Sequence, residues 1–429
     1  AQTLGAALAS AGHHAVLNST SLTRSGLLHL PAGTKGIEIG GATIPAQKIT
    51  RADGTSASVA PLANVPGLST QSLRLATSAS PLPATTLSVS PTLLENAFLR
   101  ARFNEKGQLT SLFDKRANRE ALKSGEVGNA LVAHRDIPID FDAWDIDENF
   151  ENQSWPVDNL VSAEVVEHGP YRAAIRFTWT YEASRIVQVV SLAENIAQLE
   201  FDTLVDWHEH QTLLKTGFPL DIRTDVSRAE TQFGHLTRPT HANTSWDKAR
   251  FETSMHRWVD LSETGFGVAA LNDCKYGYDA KGSALRLTLV KSPVFPWPEA
   301  DQGEHRFRYA LLLHAGDLQA VHNAATAFNL PLRLLAGGAE TAPSPAPIAT
   351  LSSDQIAIET VKAGEDGQRT ILRLWETQNR AGTVTLTLPR KSRISQTDLY
   401  ENDISVLSES TDSLELAFKP FQILTLALS

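Results

Sequence analysis

The stretch DIPIDFDAWDID, residues 136 to 147, contains five aspartates and one tryptophan. Asp142, Trp144 and Asp145 lie near its centre. Glycosidases use carboxylates as acid, base or nucleophile, and an aromatic face commonly packs against a sugar ring. The residue types therefore suit a carbohydrate site, although a metal site and an exposed acidic loop are also compatible with them.

Two further segments combine polar and aromatic residues between strand-like sequences. LNDCKYGYDAKG contains Asp273, Lys275 and Tyr276, and PEADQGEHRFRYALLLH contains Asp301 and Gln302 just before an apolar run. Loops carried by rigid strands often form binding sites, but ordinary polar turns have the same composition. Both interpretations stay open for these segments.

Other reactive side chains lack the neighbours that their chemistry needs. Cys274, the single cysteine, has no base at a spacing that would activate a thiolate. His208 and His210 are two residues apart, whereas a metal site needs three or four ligands. The sequence also has no HExxH, GxSxG or phosphate-loop motif. Metalloprotease, serine hydrolase and nucleotide-binding functions are therefore not indicated.

The elements that must carry these residues are predicted to be strands. Most of the chain alternates apolar and polar residues, with Gly, Pro, Asn and Asp at turn spacing. The pattern predicts a hairpin at 36–45, an antiparallel meander at 171–207 and one internal helix at 318–329. The expected fold class is all-β, with several β-sandwich domains.

Two composition changes suggest domain boundaries. Residues 77–91 are rich in Ser, Thr and Pro, and residues 336–347 are rich in small residues, Gly and Pro. We therefore predict the end of an upstream helical bundle at 1–11, a small β-domain at 12–78, a large β-sandwich at 79–335, a linker at 336–347 and a terminal β-sandwich at 348–429.

Composition limits the partners and the compartment. The net charge of -10 is spread along the chain without a basic stripe, so nucleic acid is not expected as a partner. The sequence has no apolar run of the roughly 20 residues that span a bilayer, so no membrane association is expected. A single cysteine rules out an intrachain disulfide and fits a reducing compartment, which makes a cytoplasmic location the expectation.

Several long segments in a fixed order resemble the C-terminal half of family-38 glycoside hydrolases, the retaining α-mannosidases. The resemblance runs from about residue 14 to the end, and its main segments are LENAFLRARFNEKGQLTSLFDKRANREAL, DFDAWDID, LLKTGFPLDI, FGHLTRPTHANTSWDKARFETSMHRWVDLSETGFGVAALNDCKYGYD and PEADQGEHRFRYALLLH. It implies that the central domain is a large galactose-mutarotase-like supersandwich.

The resemblance also implies a function for the whole enzyme. In that family an N-terminal barrel holds a zinc ion, the nucleophile and the acid/base, and terminal α-mannosides are hydrolysed with retention. The zinc cofactor and the catalytic residues are then expected upstream, and no catalytic residue or metal ligand is assigned to this chain.

By the same resemblance, this part packs on the enzyme's own N-terminal barrel and completes a pocket for α-mannoside oligosaccharides. The face left for the barrel should be unusually apolar, and it could also drive formation of a homo-oligomer. The expected substrate-binding residues are Asp142, Trp144, Asp145, Asp273, Lys275, Tyr276, Asp301 and Gln302. A stand-alone carbohydrate-binding module, or a structural interaction module without catalysis, stays open as the alternative.

Overall fold

The computed structural model of the chain describes residues 13–78, 80–336 and 346–429. Its sheets are built from antiparallel strand pairs, which confirms the predicted all-β fold class. The helix predicted at 1–11 and most of the linker predicted at 336–347 lie outside the described residues. Within them, no helix combines the length and apolarity needed to cross a bilayer.

The first unit contributes seven strands to a three-stranded sheet and a five-stranded sheet, and the fifth strand of the larger sheet, Arg333–Ala336, comes from later in the chain. The predicted hairpin at 36–45 is confirmed, and its turn residues Gly40 and Gly41 have φ values of 57° and 80°. Such values are required at both central positions of a type I′ turn. The strands are β1 His13–Asn18, β2 Arg24–Leu30, β3 Gly36–Ile39, β4 Ala42–Pro45, β5 Gln47–Thr50, β6 Ser56–Val65 and β7 Ser69–Leu75.

The middle region contains most of the strands and the helices. Its helices are α1 Ser245–Lys248 and α2 Leu318–Asn329, and Phe150–Asn152 form a 3-10 turn. The strands are β8 Ser88–Ser90, β9 Leu93–Glu95, β10 Leu99–Phe103, β11 Leu109–Asp114, β12 Arg119–Glu120, β13 Ala130–Arg135, β14 Ser154–Pro156, β15 Asn159–His168, β16 Arg172–Tyr181, β17 Ser184–Ala193, β18 Gln198–Trp207, β19 Thr212–Pro219, β20 Val226–Thr231, β21 Gly234–Pro239, β22 Thr253–Ser254, β23 Trp258–Glu263, β24 Phe266–Asn272, β25 Gly277–Lys281, β26 Ala284–Val290, β27 Gly303–His314 and β28 Arg333–Ala336.

Two large sheets of this region pack face to face. One has six strands in the order β14-β13-β19-β26-β25-β22, and the other has nine in the order β15-β16-β17-β18-β27-β24-β23-β20-β21. A single hydrophobic core fills the space between them, with Phe218 of one sheet 6.0 Å from Phe201 of the other. The predicted meander is confirmed as β16, β17 and β18.

The terminal region forms its own sheet around a separate core that includes Leu374, Leu386 and Leu426. Aromatic rings connect it to the middle region, where the ring centroids of Phe233 and Trp375 lie 5.8 Å apart in an edge-to-face arrangement. Its strands are β29 Thr350–Leu351, β30 Ile356–Ala363, β31 Thr370–Glu376, β32 Gly382–Thr397, β33 Asp403–Phe418 and β34 Ile423–Leu428.

After the large sandwich, the chain returns to the first unit. Helix α2 forms over the predicted residues and packs Val321 and Phe328 against Leu271 of the nine-stranded sheet. Strand β28 then pairs with β1, with Leu334 opposite Val16. Residues 333–335, which we assigned to the large sandwich, and residue 336, which we assigned to the linker, therefore complete a sheet of the first unit.

A buried hydrogen-bond network joins the two large sheets across their core. Tyr309 Oη donates to Asn129 Oδ1 at 2.6 Å and accepts from Gln188 Nε2 at 2.8 Å. Gln188 Nε2 also donates to Thr203, and Thr216 donates to Asn129 Oδ1. A buried polar group without a partner costs about 1–3 kcal/mol, so this network favours one register of the sheets.

We expect Tyr309→Phe to lower the free energy of unfolding by about 1–3 kcal/mol, because Asn129 loses a donor and Gln188 loses an acceptor. Urea denaturation followed by circular dichroism measures the change. The control is Tyr400→Phe, since Tyr400 is 87% exposed and its change should stay within about 0.5 kcal/mol. Equal stability of the two variants would contradict the proposed role of the network.

Candidate functional site

The C-terminal end of the loop at residues 136–149 is held in place by the turn that follows it. The 3-10 turn that follows buries Phe150 against the ring of His134 at 5.0 Å. Burial alone would raise the pKa of Glu151, but hydrogen bonds from Lys281 and Arg286 outweigh it and lower this pKa to about 2. The loop therefore closes on a charged anchor carried by the six-stranded sheet.

The anchor continues into a buried charge cluster on the same sheet. The Lys215 ammonium is almost fully buried and contacts Glu252 at 2.5 Å and Asp279 at 2.8 Å. Asp279 also forms an ion pair with Arg286, and Arg286 in turn pairs with Glu151. Because each buried charge has an opposite partner, the cluster can hold the loop without leaving a charge unpaired.

The loop 136–149 is bonded to the loop 291–302. Asp142 Oδ2 accepts hydrogen bonds from the amides of Val294 at 2.7 Å and Phe295 at 3.3 Å. The Lys291 ammonium lies 2.5 Å from Asp136, whose pKa is raised by burial. These contacts make the two loops a single structural unit.

A tight turn holds Trp144 and Asp145 at the surface. The carbonyl of Phe141 accepts from the amides of Trp144 at 2.7 Å and Asp145 at 3.0 Å, and Phe141 has a φ of 56°. Trp144 is 70% exposed as a result, and Asp145 is exposed beside it. The predicted aromatic and carboxylate pair is therefore available to a ligand.

The two joined loops also carry a set of exposed apolar side chains, which we call the apolar platform. Its members are Ile137, Ile139, Phe141, Trp144, Phe295 and Trp297. Large exposed apolar surfaces on a folded protein mark interaction sites. The two joined loops thus present six exposed apolar side chains at the surface.

Sequence reasoning missed Phe295, Trp297 and Lys291. A signal was present in FPWP, residues 295–298, because prolines on both sides of Trp297 cannot donate to a sheet ladder. Such a segment is typical of an exposed aromatic loop. The role of Lys291 had no sequence signal, since its partner Asp136 lies 155 residues away.

Asp301 and Gln302 brace the loop 291–302 from its other end. Asp301 Oδ2 accepts from the amide of Ser292 at 3.2 Å, and Gln302 Nε2 donates to the carbonyl of Glu209 at 2.8 Å. The structure therefore gathers five predicted residues in one pair of loops: Asp142, Trp144, Asp145, Asp301 and Gln302.

The other three predicted residues make their contacts elsewhere. Asp273 accepts from the Arg308 amide at 2.9 Å, the Lys275 ammonium lies 4.8 Å from the Phe307 ring, and Tyr276 packs near His256. Arg308 is six residues along β27 from Gln302, which corresponds to about 20 Å of strand. A single sugar ring cannot reach both places.

Cys274 lies in surroundings that do not activate its thiol. Burial and the neighbouring Asp273 raise the pKa of Cys274 to about 11, so its thiol is protonated at neutral pH. Across 13–78, 80–336 and 346–429, no group of three His, Cys, Asp or Glu side chains could hold a metal ion. The resemblance places the zinc site upstream of this chain, and no described residue is assigned to it.

Two family models match the chain, and both describe C-terminal domains of glycosyl hydrolases. Residues 94–299 match the glycosyl hydrolases family 38 C-terminal domain, and residues 355–426 match the family 38 C-terminal beta sandwich domain. The chain therefore belongs to glycosyl hydrolase family 38, whose C-terminal domains it carries.

Similar proteins agree with this family. Alpha-mannosidase 2C1 of Homo sapiens is 40% identical over 351 residues, covering 78% of this chain and 33% of that protein. The alpha-mannosidase of Saccharomyces cerevisiae is 35% identical over 242 residues, covering 53% of this chain and 22% of that protein. The chain thus spans a third or less of these relatives.

A solved structure agrees on the fold. The crystal structure of an alpha-mannosidase from Enterococcus faecalis V583 aligns with a TM-score of 0.80 at 16% identity, covering 98% of this chain and 56% of that chain. At such identity the likeness shows the fold alone.

We expect Asp142→Ala to speed hydrogen exchange at the amides of Val294 and Phe295 by about tenfold or more, because hydrogen bonds to a charged group contribute roughly 1.5–3 kcal/mol. Hydrogen-exchange mass spectrometry of peptides covering 291–302 measures this change. The matched control is Asp140→Ala, since the exposed Asp140 precedes the turn in the same loop. If both variants exchange at the wild-type rate, Asp142 does not join the loops.

Proposed function

We propose that the chain is the β-rich C-terminal part of an α-mannosidase that hydrolyses terminal α-mannosides with retention. The observation that carries this proposal is the match of residues 94–299 and 355–426 to family 38 C-terminal domains, supported by 40% identity to an alpha-mannosidase over 351 residues. In this proposal the N-terminal catalytic part of the enzyme covers the apolar platform except for Trp144, which stays open at the rim of the sugar pocket. That part also supplies the nucleophile, the acid/base and the zinc ion, and the enzyme works in the cytoplasm.

Burial of the platform would stabilise such an assembly. Three of its aromatic side chains, Phe141, Phe295 and Trp297, are each more than 60% exposed and would be covered. An aromatic side chain buries roughly 150–250 Å² when covered, at roughly 25 cal/mol per Å² of apolar surface. Each ring then contributes on the order of 3 kcal/mol before the entropic cost of association is subtracted.

The joined loops also suit the rim of a sugar pocket. Trp144 and Asp145 are exposed, so the indole can pack against a sugar face and the carboxylate can accept hydroxyl hydrogen bonds. Asp142, Asp301 and Gln302 bond to the protein itself, and their role in the proposal is to hold the rim in place. Substrate contacts by Asp273, Lys275 and Tyr276 stay a prediction. Because this second loop region lies away from Gln302 along β27, we expect it to contact only a longer oligosaccharide.

A carbohydrate-binding module without catalysis is the second candidate, and the exposed indole of Trp144 favours it. This function requires measurable affinity of the chain alone for a mannoside, with loss of that affinity in Trp144→Ala. The two candidates differ because a rim that depends on a missing catalytic part should bind such a ligand weakly or not at all.

The isolated chain should not hydrolyse an aryl α-mannoside, with or without added zinc, because the proposal places the catalytic groups upstream. The described residues contain no group of side chains that could hold a metal ion. Release of the aryl group, followed by absorbance at micromolar chain concentration, tests this expectation. Clear turnover that scales with chain concentration would place the catalytic groups in this chain and would overturn the division of roles proposed above.

In the full-length enzyme, Trp144→Ala should lower kcat/KM for an aryl α-mannoside by about tenfold or more, which corresponds to about 1.4 kcal/mol of lost transition-state binding. Trp246→Ala is the matched control, because Trp246 is 77% exposed on α1 and lies outside the platform.

Asp145→Ala and Lys275→Met separate the two loop regions in the same assay. The proposal expects a loss for Asp145→Ala, while Lys275→Met should matter only with longer oligosaccharides. Wild-type kcat/KM in both Trp144→Ala and Asp145→Ala would show that these loops have an assembly role alone.

A further inference from the structure

A second groove lies at the corner where the edges of the two large sheets meet. Strand β14 is an edge of the six-stranded sheet and β15 is an edge of the nine-stranded sheet, and only two residues separate them in the chain. The groove has a volume of about 590 Å³, which is within the range of roughly 300–1,000 Å³ found for small-molecule sites. Its lining includes Trp155, Asp158, Asn159, Thr180, Tyr181 and Glu182.

Two aromatic residues give the groove an apolar wall. Trp155 is 46% exposed on the edge strand β14, where its backbone pairs with Ala133. The Tyr181 ring stacks on the buried Trp207 at 5.9 Å with an interplanar angle of 5°. The wall therefore combines an accessible indole with a phenol ring held in place from beneath, as required for packing against the apolar face of a ring-shaped ligand.

The polar groups of the groove are suited to hydroxyl groups. Asn159 Nδ2 donates to Thr180 Oγ1 at 2.7 Å, which turns this amide toward the groove's polar side. Glu182 occupies the β16–β17 turn with a φ of 46°, and no hydrogen bond or ion pair from the described residues engages its carboxylate. Both side chains keep acceptor oxygens for donors supplied by a ligand.

The charge of the groove argues against an anionic ligand. Its lining includes Asp158 and Glu182 but, among the described residues, neither Lys nor Arg. Asp158 is neutralised from outside the groove by Lys106 at 2.5 Å. An oxyanion would therefore meet one uncompensated carboxylate and no cation, whereas a neutral polyhydroxyl ligand would meet an aromatic face and several hydrogen-bond acceptors.

We propose that this groove binds a neutral hexopyranoside, with its ring against Trp155 and its hydroxyl groups bonded to Asn159 and Glu182. The groove is tied to the candidate site through Glu209, whose side chain accepts from Ser184 and whose carbonyl accepts from Gln302. In this proposal the groove holds a sugar unit other than the one that is cleaved. The choice of a mannoside as that sugar rests on the proposed function.

The test is a titration of the unmodified 429-residue chain with methyl α-D-mannopyranoside, followed by saturation-transfer NMR. We expect a Kd of roughly 1 mM, about 4 kcal/mol of binding free energy. Trp155→Ala should weaken binding by about tenfold or more, Trp155→Phe should restore part of it, and Glu182→Gln should weaken it severalfold. Trp246→Ala should bind like the wild type. Raising NaCl from about 50 to 500 mM should leave the Kd unchanged, because the ligand is neutral.

Three results would overturn the proposal, once thermal unfolding shows that Trp155→Ala is folded. They are the absence of binding by the wild type, undiminished binding by Trp155→Ala, and loss of binding in Trp144→Ala alone, which would assign the sugar to the joined loops. Binding of tetramethylammonium that displaces the mannoside and weakens with salt would identify a cation site instead. Because these measurements need no turnover, they can fail while the activity assay of the full-length enzyme succeeds, and the reverse.

Discussion

The hydrogen bonds among Asn129, Gln188 and Tyr309 fix how the two large sheets face each other. If one sheet slid along the other, buried amides and hydroxyls would lose their hydrogen-bond partners, at a cost of about 1–3 kcal/mol for each group. The ends of β13, β19, β26 and β27 are therefore held at one level. The loops 136–149, 208–211 and 291–302 leave those ends, and for this reason they meet.

Charged residues near these loops position the backbone. Asp136 binds Lys291 of the loop 291–302, and Glu151, in the turn that follows the loop 136–149, binds Lys281 and Arg286 of the six-stranded sheet. Ion pairs contribute little net stability compared with apolar packing, but removing the partner of a buried carboxylate such as Asp136 is costly. They therefore act mainly as selectors of one loop conformation. The apolar platform is exposed because its loops are fixed in this way.

Local patterns predicted the local structure well. The hairpin at 36–45 was predicted from its glycine pair and the helix at 318–329 from its apolar periodicity, because both depend on neighbouring residues. The pairing of β28 with β1 and the bond from Asp142 to Val294 depend on residues more than 150 positions apart. The periodicity of apolar residues along a sequence does not indicate which distant residues are in contact. For the same reason, the separation of Asp273 from Gln302 along β27 could not be predicted.

The pairing of β1 with β28 has a consequence for the order in which the protein can fold during its synthesis. Strand β1 ends at Asn18, and β28 begins only at Arg333. As the chain leaves the ribosome, one edge of β1 must wait until some three hundred further residues have been translated. Other units can fold as they emerge. Among the described units, the first unit is thus translated before the others and is among the last to be completed, and one edge of β1 stays open to wrong partners until then.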